Sequence, residues 1–252
     1  MVPRSISNME RGTRVCQNED MPRTRGRAPD GKGRTDALSR EIIVGAAVAL
    51  LDERGERGLT FRLLAKELDT GPGALYWHVA NKDELVALAA DQVLGQVFAA
   101  VPCAEEDAAV GLRALAVAVF DALDRHAWAA SHVTAPAALA NALRLLDRIG
   151  SLVMRAGVPA ERHFAVATAI SYYITGVSAQ IVAPGITADA AAGREAFLAR
   201  TAEGWEGLDP DDYPFLARTA ANLRDHDDRD QFIAGLDLLL NGLNATAEAP
   251  SA

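Results

Sequence analysis

The sequence predicts an all-α protein, and three observations carry that prediction. Alanine is abundant, apolar residues recur at spacings of three and four, and no stretch alternates with period two as a half-buried strand would. Nearly everything after Ser39 therefore reads as helix.

Ser39 serves as N-cap of a first helix that buries Ile43, Ala47, Leu50 and Leu51 on one stripe and stops at Gly55. A second, short helix is capped by Thr60 and turns Phe61, Leu64, Ala65 and Leu68 inward. The run Asp69-Thr70-Gly71-Pro72-Gly73 reverses the chain, with Pro72 tolerated in the first turn of a third short helix that ends near Val79. Leu75 and Val79 are its inward residues. Asn81 and Glu84 form a capping box, each side chain satisfying the other's free donor, and start a fourth helix that runs to about Ala100, before Pro102.

Further helices are predicted at about 107–126, 136–156 and 159–183, the middle one with an apolar stripe of Leu139, Leu143, Leu146, Ile149 and Val153. Pro184-Gly185 ends the third, and 186–209 is an Ala/Gly-rich region of weak pattern. A short helix follows near 214–223. The acidic run Asp225 to Asp230 complements the N-terminal dipole of a last helix that buries Phe232, Leu236, Leu239, Leu240 and Leu243. No internal repeat is present.

At 252 residues the chain has ample length for a core without staples. Cys16 and Cys103 are far apart and in no metal-type spacing, and Met1 to Asp20 is polar with no apolar centre, so the expected compartment is a reducing cytoplasm. Residues 164–184 hold no charge over about the length of a membrane span. Thr168, Ser171, Thr175, Ser178 and Gln180 lower their apolarity, and Ala169, Gly176 and Ala179 suit close packing against another helix, so no membrane is expected.

The net charge of −9 is unevenly spread: residues 1–90 hold 14 Lys/Arg against 13 Asp/Glu, and residues 91–252 hold 11 against 21. Met21 to Arg40 alone has six basic and two acidic residues. A basic arm ahead of an acidic body fits a DNA-binding head on a regulatory domain. Metal and hydrolase chemistry fail on spacing. His126, His132, His163 and His226 form no ligand motif, no glycine-rich phosphate loop follows a strand, and the Asp225–Asp230 run lacks the glycine and distal glutamate of a calcium loop. Neither a metal nor a cofactor is expected, and an α-helical enzyme remains the rival class for the second domain.

A short helix, a tight turn and another short helix braced by a first helix is the helix-turn-helix arrangement, whose second short helix enters the major groove. This accounts for the composition of Gly71 to Val79. With Leu75 and Val79 turned inward, Gly73, Ala74, Tyr76, Trp77 and His78 face out, beside Thr70, Gly71 and Pro72 in the turn. Glycine and alanine let the backbone approach a groove floor, while Tyr76, His78 and Lys82 can donate to phosphates. Packing roles compete with these: Trp77 against the first helix, and Arg62 paired with Glu67 or a first-helix carboxylate.

The string "LTFRLLAKELDTGPGALYWHVANKDELV" resembles the DNA-binding domain of the TetR family of bacterial transcriptional regulators, without a gap from about Ser39 to Ala90. "HVTAP" at 132–136, "ISYYITGVSAQ" at 170–180 and "FIAGLDLLLNGL" at 232–243 resemble the family's tetracycline-type regulatory domain. The resemblance implies a guanine-edge contact for Arg62, backbone contacts for Tyr76 and His78, and a phosphate contact for Lys82. Pro72, Gly73 and Ala74 depart from the tetracycline-type pattern of glutamine, proline and threonine, so a different operator is implied.

His132 and Thr134 resemble a magnesium-ligating histidine and its nearby threonine, although the spacing to Pro136 is one residue shorter, and Phe120 matches a pocket phenylalanine. The histidine and asparagine that hold the tetracycline ring fall at Phe98 and Ala116, which disfavours a metal–tetracycline complex. The expected inducer is a mainly apolar small molecule in a pocket of Phe98, Ala116, Phe120, His132, Thr134, Leu143, Leu146 and Ile149. A homodimer is expected through Ile170, Tyr173, Gly176, Val177, Phe232, Leu236, Leu239 and Leu243.

The expectation is thus a repressor that binds double-stranded operator DNA as a homodimer, an activator of the same fold being the near alternative. Its parts are a disordered basic arm over 1–38, a head over 39–85, a helical regulatory domain over 86–247 reached by the fourth helix, and a disordered tail over 248–252.

Overall fold

Helices and short turns account for the regular structure of the computed structural model, which describes residues 38–101, 107–133, 140–181 and 190–248. The expected arm lies outside the described residues except for Leu38, as do Thr134, Pro136, Leu139 and residues 249–252 of the expected tail. In chain order the helices are α1 (Arg40–Gly58), α2 (Phe61–Glu67), α3 (Pro72–Leu75), α4 (Lys82–Ala100), α5 (Ala108–Arg125), α6 (Ala140–Arg155), α7 (His163–Ile181), α8 (Ala190–Glu206), α9 (Pro214–Arg224) and α10 (Asp228–Glu248). Single 3-10 turns at Ala127–Ala129 and Ala160–Arg162 follow α5 and precede α7.

The caps expected in the head are formed. Ser39 accepts from the Ile42 amide at 3.3 Å, Thr60 from Leu63 at 3.2 Å and Asn81 from Glu84 at 2.8 Å, and caps of this kind stabilise a helix by about 1 kcal/mol each. The box at Asn81 is displaced by one residue, because Glu84 reaches back to the amide of Ala80 at 2.7 Å. Gly55 has φ 62° and ψ −179°, a backbone region open in practice to glycine alone, and α1 runs on for one more turn beyond this kink.

The turn after α2 forms where the sequence places it. Its left-handed residue is Asp69, at φ 48°, and neither Gly71 nor Gly73 has positive φ. Thr70 donates to the Ala65 carbonyl at 2.8 Å and Asp69 to the Lys66 carbonyl at 3.3 Å, the paired bonds of a Schellman ending. The glycines are therefore free of any conformational duty in the turn.

One continuous buried core runs from Ile43 in α1 to Leu243 in α10. In the head, α1 lies along α4, and α2 packs on α1 and α3. Ile43, Ala47, Leu50, Leu51, Leu64, Ala65, Leu75 and Val79 are buried as expected, and each of the larger side chains contributes roughly 1.5–3 kcal/mol. Beyond the head, α4 packs on α5 and α6, α5 on α7 and α10, and α7 on α6 and α10. The region expected to be weakly patterned contains α8, which forms a hairpin with α9 closed by Arg224 against Glu206 at 2.9 and 3.0 Å. None of the described helices is long and apolar enough to cross a membrane.

The apolar stripe expected on α6 is met at Ile149 and Val153 but not at Leu143 and Leu146. Leu145, Ile149, Leu152 and Val153 are buried, whereas Leu143 and Leu146 are 48% and 36% exposed. Both stripes have helical spacing, and what α6 packs against selects between them.

Candidate nucleic-acid interface and regulatory site

Hydrogen bonds from α1 and α4 hold the α2–α3 unit from behind and leave its front bare. Leu64, Leu75 and Val79 anchor it to the core, and Gly71, Pro72, Gly73, Tyr76 and Trp77 are exposed. Trp77 is 89% exposed, so it does not pack against the first helix. Tyr76 stacks face to face on Phe61 with ring centroids 4.6 Å apart, which fixes the ring while leaving it 58% exposed. Thr70, Ala74 and His78 are half-buried at the edges of this surface.

Arg62 is exposed on α2 and takes part in no hydrogen bond or ion pair among the described residues, so neither Glu67 nor a first-helix carboxylate holds it. A free guanidinium with five donors beside a bare short helix is suited to a base edge or a phosphate. Lys82 has a partner that the sequence does not reveal. Its ammonium donates to the Glu56 carbonyl at the end of α1, and the side chain is half-buried.

A polar seam joins α1 to the segment after α5. Asp52 accepts from Trp128 Nε1 at 2.7 Å and meets His126 Nδ1 at 2.8 Å, and Glu56 meets His132 Nε2 at 2.8 Å. His132 was expected in the ligand pocket, but it binds the head. Asp52, Glu56 and Arg40 were not anticipated from sequence, because their partners lie 38 to 76 residues away and no local pattern signals such pairing.

Of the remaining pocket residues, Phe98, Ala116, Phe120 and Ile149 belong to the same buried core. Phe98, on α4, is buried with the Arg144 guanidinium 4.7 Å from its ring centroid and Arg148 at 5.9 Å. Ala116 is fully buried, and Phe120 stacks on Phe232 with centroids 4.3 Å apart. Ile149 is in the core while Leu143 and Leu146 face outward. The residues do not fit a magnesium–tetracycline complex: His132 is committed to Glu56, the ring-anchoring positions are the apolar Phe98 and Ala116, and no cluster of three or more His, Cys, Asp or Glu suited to a metal occurs among the described residues. A surface groove of about 550 Å³ lies elsewhere, on Arg40, Val44, Leu88, Gln92, Gly95 and Asn141, and holds none of the expected ligand residues.

The expected dimer residues require a similar correction. Ile170, Phe232, Leu236 and Leu243 are buried in this chain's own core, and Tyr173 is half-buried. The Tyr173 hydroxyl donates to the Phe232 carbonyl at 2.9 Å, and its burial raises the phenol pKa above the usual value. Gly235 belongs to the same contact, since a Cβ there would sit 2.1 Å from the Tyr173 hydroxyl. Gly176, Val177 and Leu239 are half-buried. The outer faces of α7 and α10 instead carry Phe164, Tyr172 and Leu238, exposed by 76%, 71% and 75%.

Comparisons with known proteins agree with this architecture. Residues 43–89 match the family described as bacterial regulatory proteins, tetR family, and residues 102–247 match the tetracyclin repressor-like C-terminal domain. An HTH-type transcriptional regulator of Saccharopolyspora erythraea is 36% identical over 160 residues, which take in 61% of this chain and 66% of that protein, just under two thirds of its length.

Among solved structures, a TetR transcriptional regulator from Streptomyces coelicolor is 41% identical with a TM-score of 0.71, covering 84% of this chain and all of the other. The Streptomyces coelicolor protein ActR in complex with actinorhodin is 26% identical with a TM-score of 0.69, covering 84% and 99%. BioQ with its double-stranded DNA operator is 27% identical with a TM-score of 0.56, covering 82% and 99%. With the exposed short helix of the head and the helical body behind it, these matches establish that the chain belongs to the TetR family of bacterial regulatory proteins, with a tetracycline-repressor-like C-terminal domain.

Proposed function

We propose that this transcriptional regulator is a ligand-responsive repressor that binds a near-palindromic operator as a homodimer. The observation that carries the DNA reading is the bare front of the α2–α3 unit, where an unpaired Arg62 stands beside the exposed residues Gly71 to Gly73, Tyr76 and Trp77. Arg62 reads a base edge, Tyr76 and His78 contact the DNA backbone, and Lys82 reaches a phosphate with donors left over from its bond to Glu56. The similarity to BioQ, solved with its DNA operator, supports the partner.

One head has a small footprint, and two heads roughly 34–36 Å apart read successive major grooves. A two-fold dimer brings together the outer faces of α7 and α10, burying Phe164, Tyr172 and Leu238 with Gly176 one turn from Tyr172. The ligand is a mainly apolar molecule, a reading supported by the apolar residues at Phe98 and Ala116, and the similarity to ActR, whose structure holds actinorhodin, supports a small-molecule ligand as such. Phe98 and Lys82 lie near opposite ends of α4, whose 19 residues span roughly 28 Å. Ligand that binds best when α4 is tilted separates the heads, and operator DNA weakens ligand by the same factor.

The test is selection of fragments from sheared genomic DNA of the source organism, with sedimentation of the free protein and of its complex. One or a few near-palindromic sites held by a dimer are expected. Retention without sequence preference, or a monomer with full operator affinity, overturns the reading.

A further inference from the structure

The helix that faces DNA is short: α3 has four residues, and one further turn carries Tyr76 to Val79. Such a segment has almost no helical stability of its own. Leu75 and Val79 fix its inner side, but its C-terminal end must be held by polar groups, because the last carbonyls of a helix lack partners within it.

Arg40, the first residue of α1, supplies that hold from 38 positions away. Its Nε and Nη2 donate to the His78 carbonyl at 3.0 and 2.8 Å, and Nη2 also meets Glu84 Oε1 at 3.2 Å. The other oxygen of Glu84 accepts from the Ala80 amide at 2.7 Å, and Asn81 accepts from the Glu84 amide at 2.8 Å. One guanidinium therefore ties the start of α1, the end of the DNA-facing turn and the start of α4 into one unit.

We propose that Arg40 is a positioning residue for operator recognition: by clamping the His78 carbonyl it sets the angle at which Tyr76, Trp77 and His78 face DNA. The inference rests on the DNA-binding function proposed above. Arg40 is itself half-exposed, so the competing role is a simple cation attracted to phosphates. The two roles have different chemistry. A cation acts through charge, which lysine keeps, whereas the clamp needs the planar fork, which lysine lacks.

The experiment uses the full chain and a duplex that the wild type selects from a random-sequence library, alongside a scrambled duplex of equal length. Arg40→Lys and Arg40→Ala are each expected to lose roughly tenfold in affinity for the selected duplex. Affinity for the scrambled duplex and the slope of affinity against salt should stay near wild type for Arg40→Lys. Near-wild-type binding by Arg40→Lys, with Arg40→Ala lowering both duplexes and flattening the salt slope by about one phosphate, overturns the proposal in favour of a phosphate contact.

Thermal melting of each variant guards against global unfolding. If Arg40→Ala melts below the assay temperature, Arg40→Lys together with Glu84→Gln decides. Glu84→Gln should lower selected-duplex affinity alone and add little in the Arg40→Lys background, and full additivity counts against the clamp. A wild type that selects no sequence sinks the DNA reading and this proposal together. Selection by the wild type with both variants equal to it sinks the Arg40 assignment alone.

Discussion

The head and the body of this protein are both helical; the head's inward side chains follow from local pattern, as do Phe232, Leu236, Leu240 and Leu243 of α10, whereas of the stripe read on α6 Ile149 and Val153 are buried and Leu143 and Leu146 are not. In the head each short helix has one apolar stripe, so Leu64 and Leu75 have a single inward direction, and both are fully buried. In the body, α6 carries two interleaved stripes, and α7 and α10 are apolar on more than one side. Leu236 is fully buried and Leu238, two positions on, is 75% exposed. A helix with one apolar face encodes its own orientation, while a helix with two leaves the choice to its neighbours.

The largest expected effect tests this difference on α10. Leu236→Asp places a carboxylate in the core and should destabilise the fold by about 4 kcal/mol or more, seen as loss of a cooperative melt. Leu238→Asp should leave the melt of the monomer fold in place and yield a monomer in sedimentation, with weakened operator binding. A Leu238→Asp protein that stays dimeric removes the outer face of α10 from the proposed interface.

The same contrast on α6 is smaller. Ile149→Ala should cost about 2–5 kcal/mol in denaturant unfolding, and Leu143→Ala less than about 0.5 kcal/mol. Equal costs would mean that Leu143 packs into a core as Ile149 does, contrary to its exposure in the structure.

In the head, Arg62→Ala should cost about 1–3 kcal/mol of operator binding and relax preference at one base pair per half-site, with stability unchanged. Gel-shift titrations over operator variants would measure it, and an unchanged base preference would remove Arg62 from readout.

The smallest effect concerns Gly73. Its φ is not positive, and a Cβ there would meet nothing within 4 Å in this chain. Alanine should therefore raise stability, by at most about 1 kcal/mol of helix propensity. If the backbone approaches the groove floor here, the same variant should bind operator more weakly. Opposite signs in melting and binding mark a glycine kept for DNA, and improved or unchanged binding would mean that the groove does not come so close.

How much was legible can be judged from particular residues. Ser39, Thr60 and Asn81 announce three helix starts because a cap acts within three residues, and Gly55 marks the kink because its φ of 62° suits glycine. The turn after α2 was legible in place, and Asp69 takes its left-handed conformation. Tyr76 and Trp77 were expected to face out and do. The Lys82 ammonium also lies on the Glu56 carbonyl, a partner 26 residues away that no local spacing reveals.

By itself the sequence determined the helical class, the position of the head and the identity of its outward-facing residues Tyr76 and Trp77, all of which rest on contacts spanning one or two helical turns. Tertiary structure alone decided that Leu145 and Leu152, and not Leu143 and Leu146, join Ile149 and Val153 in the α6 core, that His132 joins the head through Glu56, that Phe98 lies under Arg144, and that Arg40 closes on His78. The physical reason is range. Caps and single apolar stripes act between near neighbours, whereas a choice between two equivalent apolar faces, or between partners 38 to 76 residues apart, is settled by the packing of the whole chain.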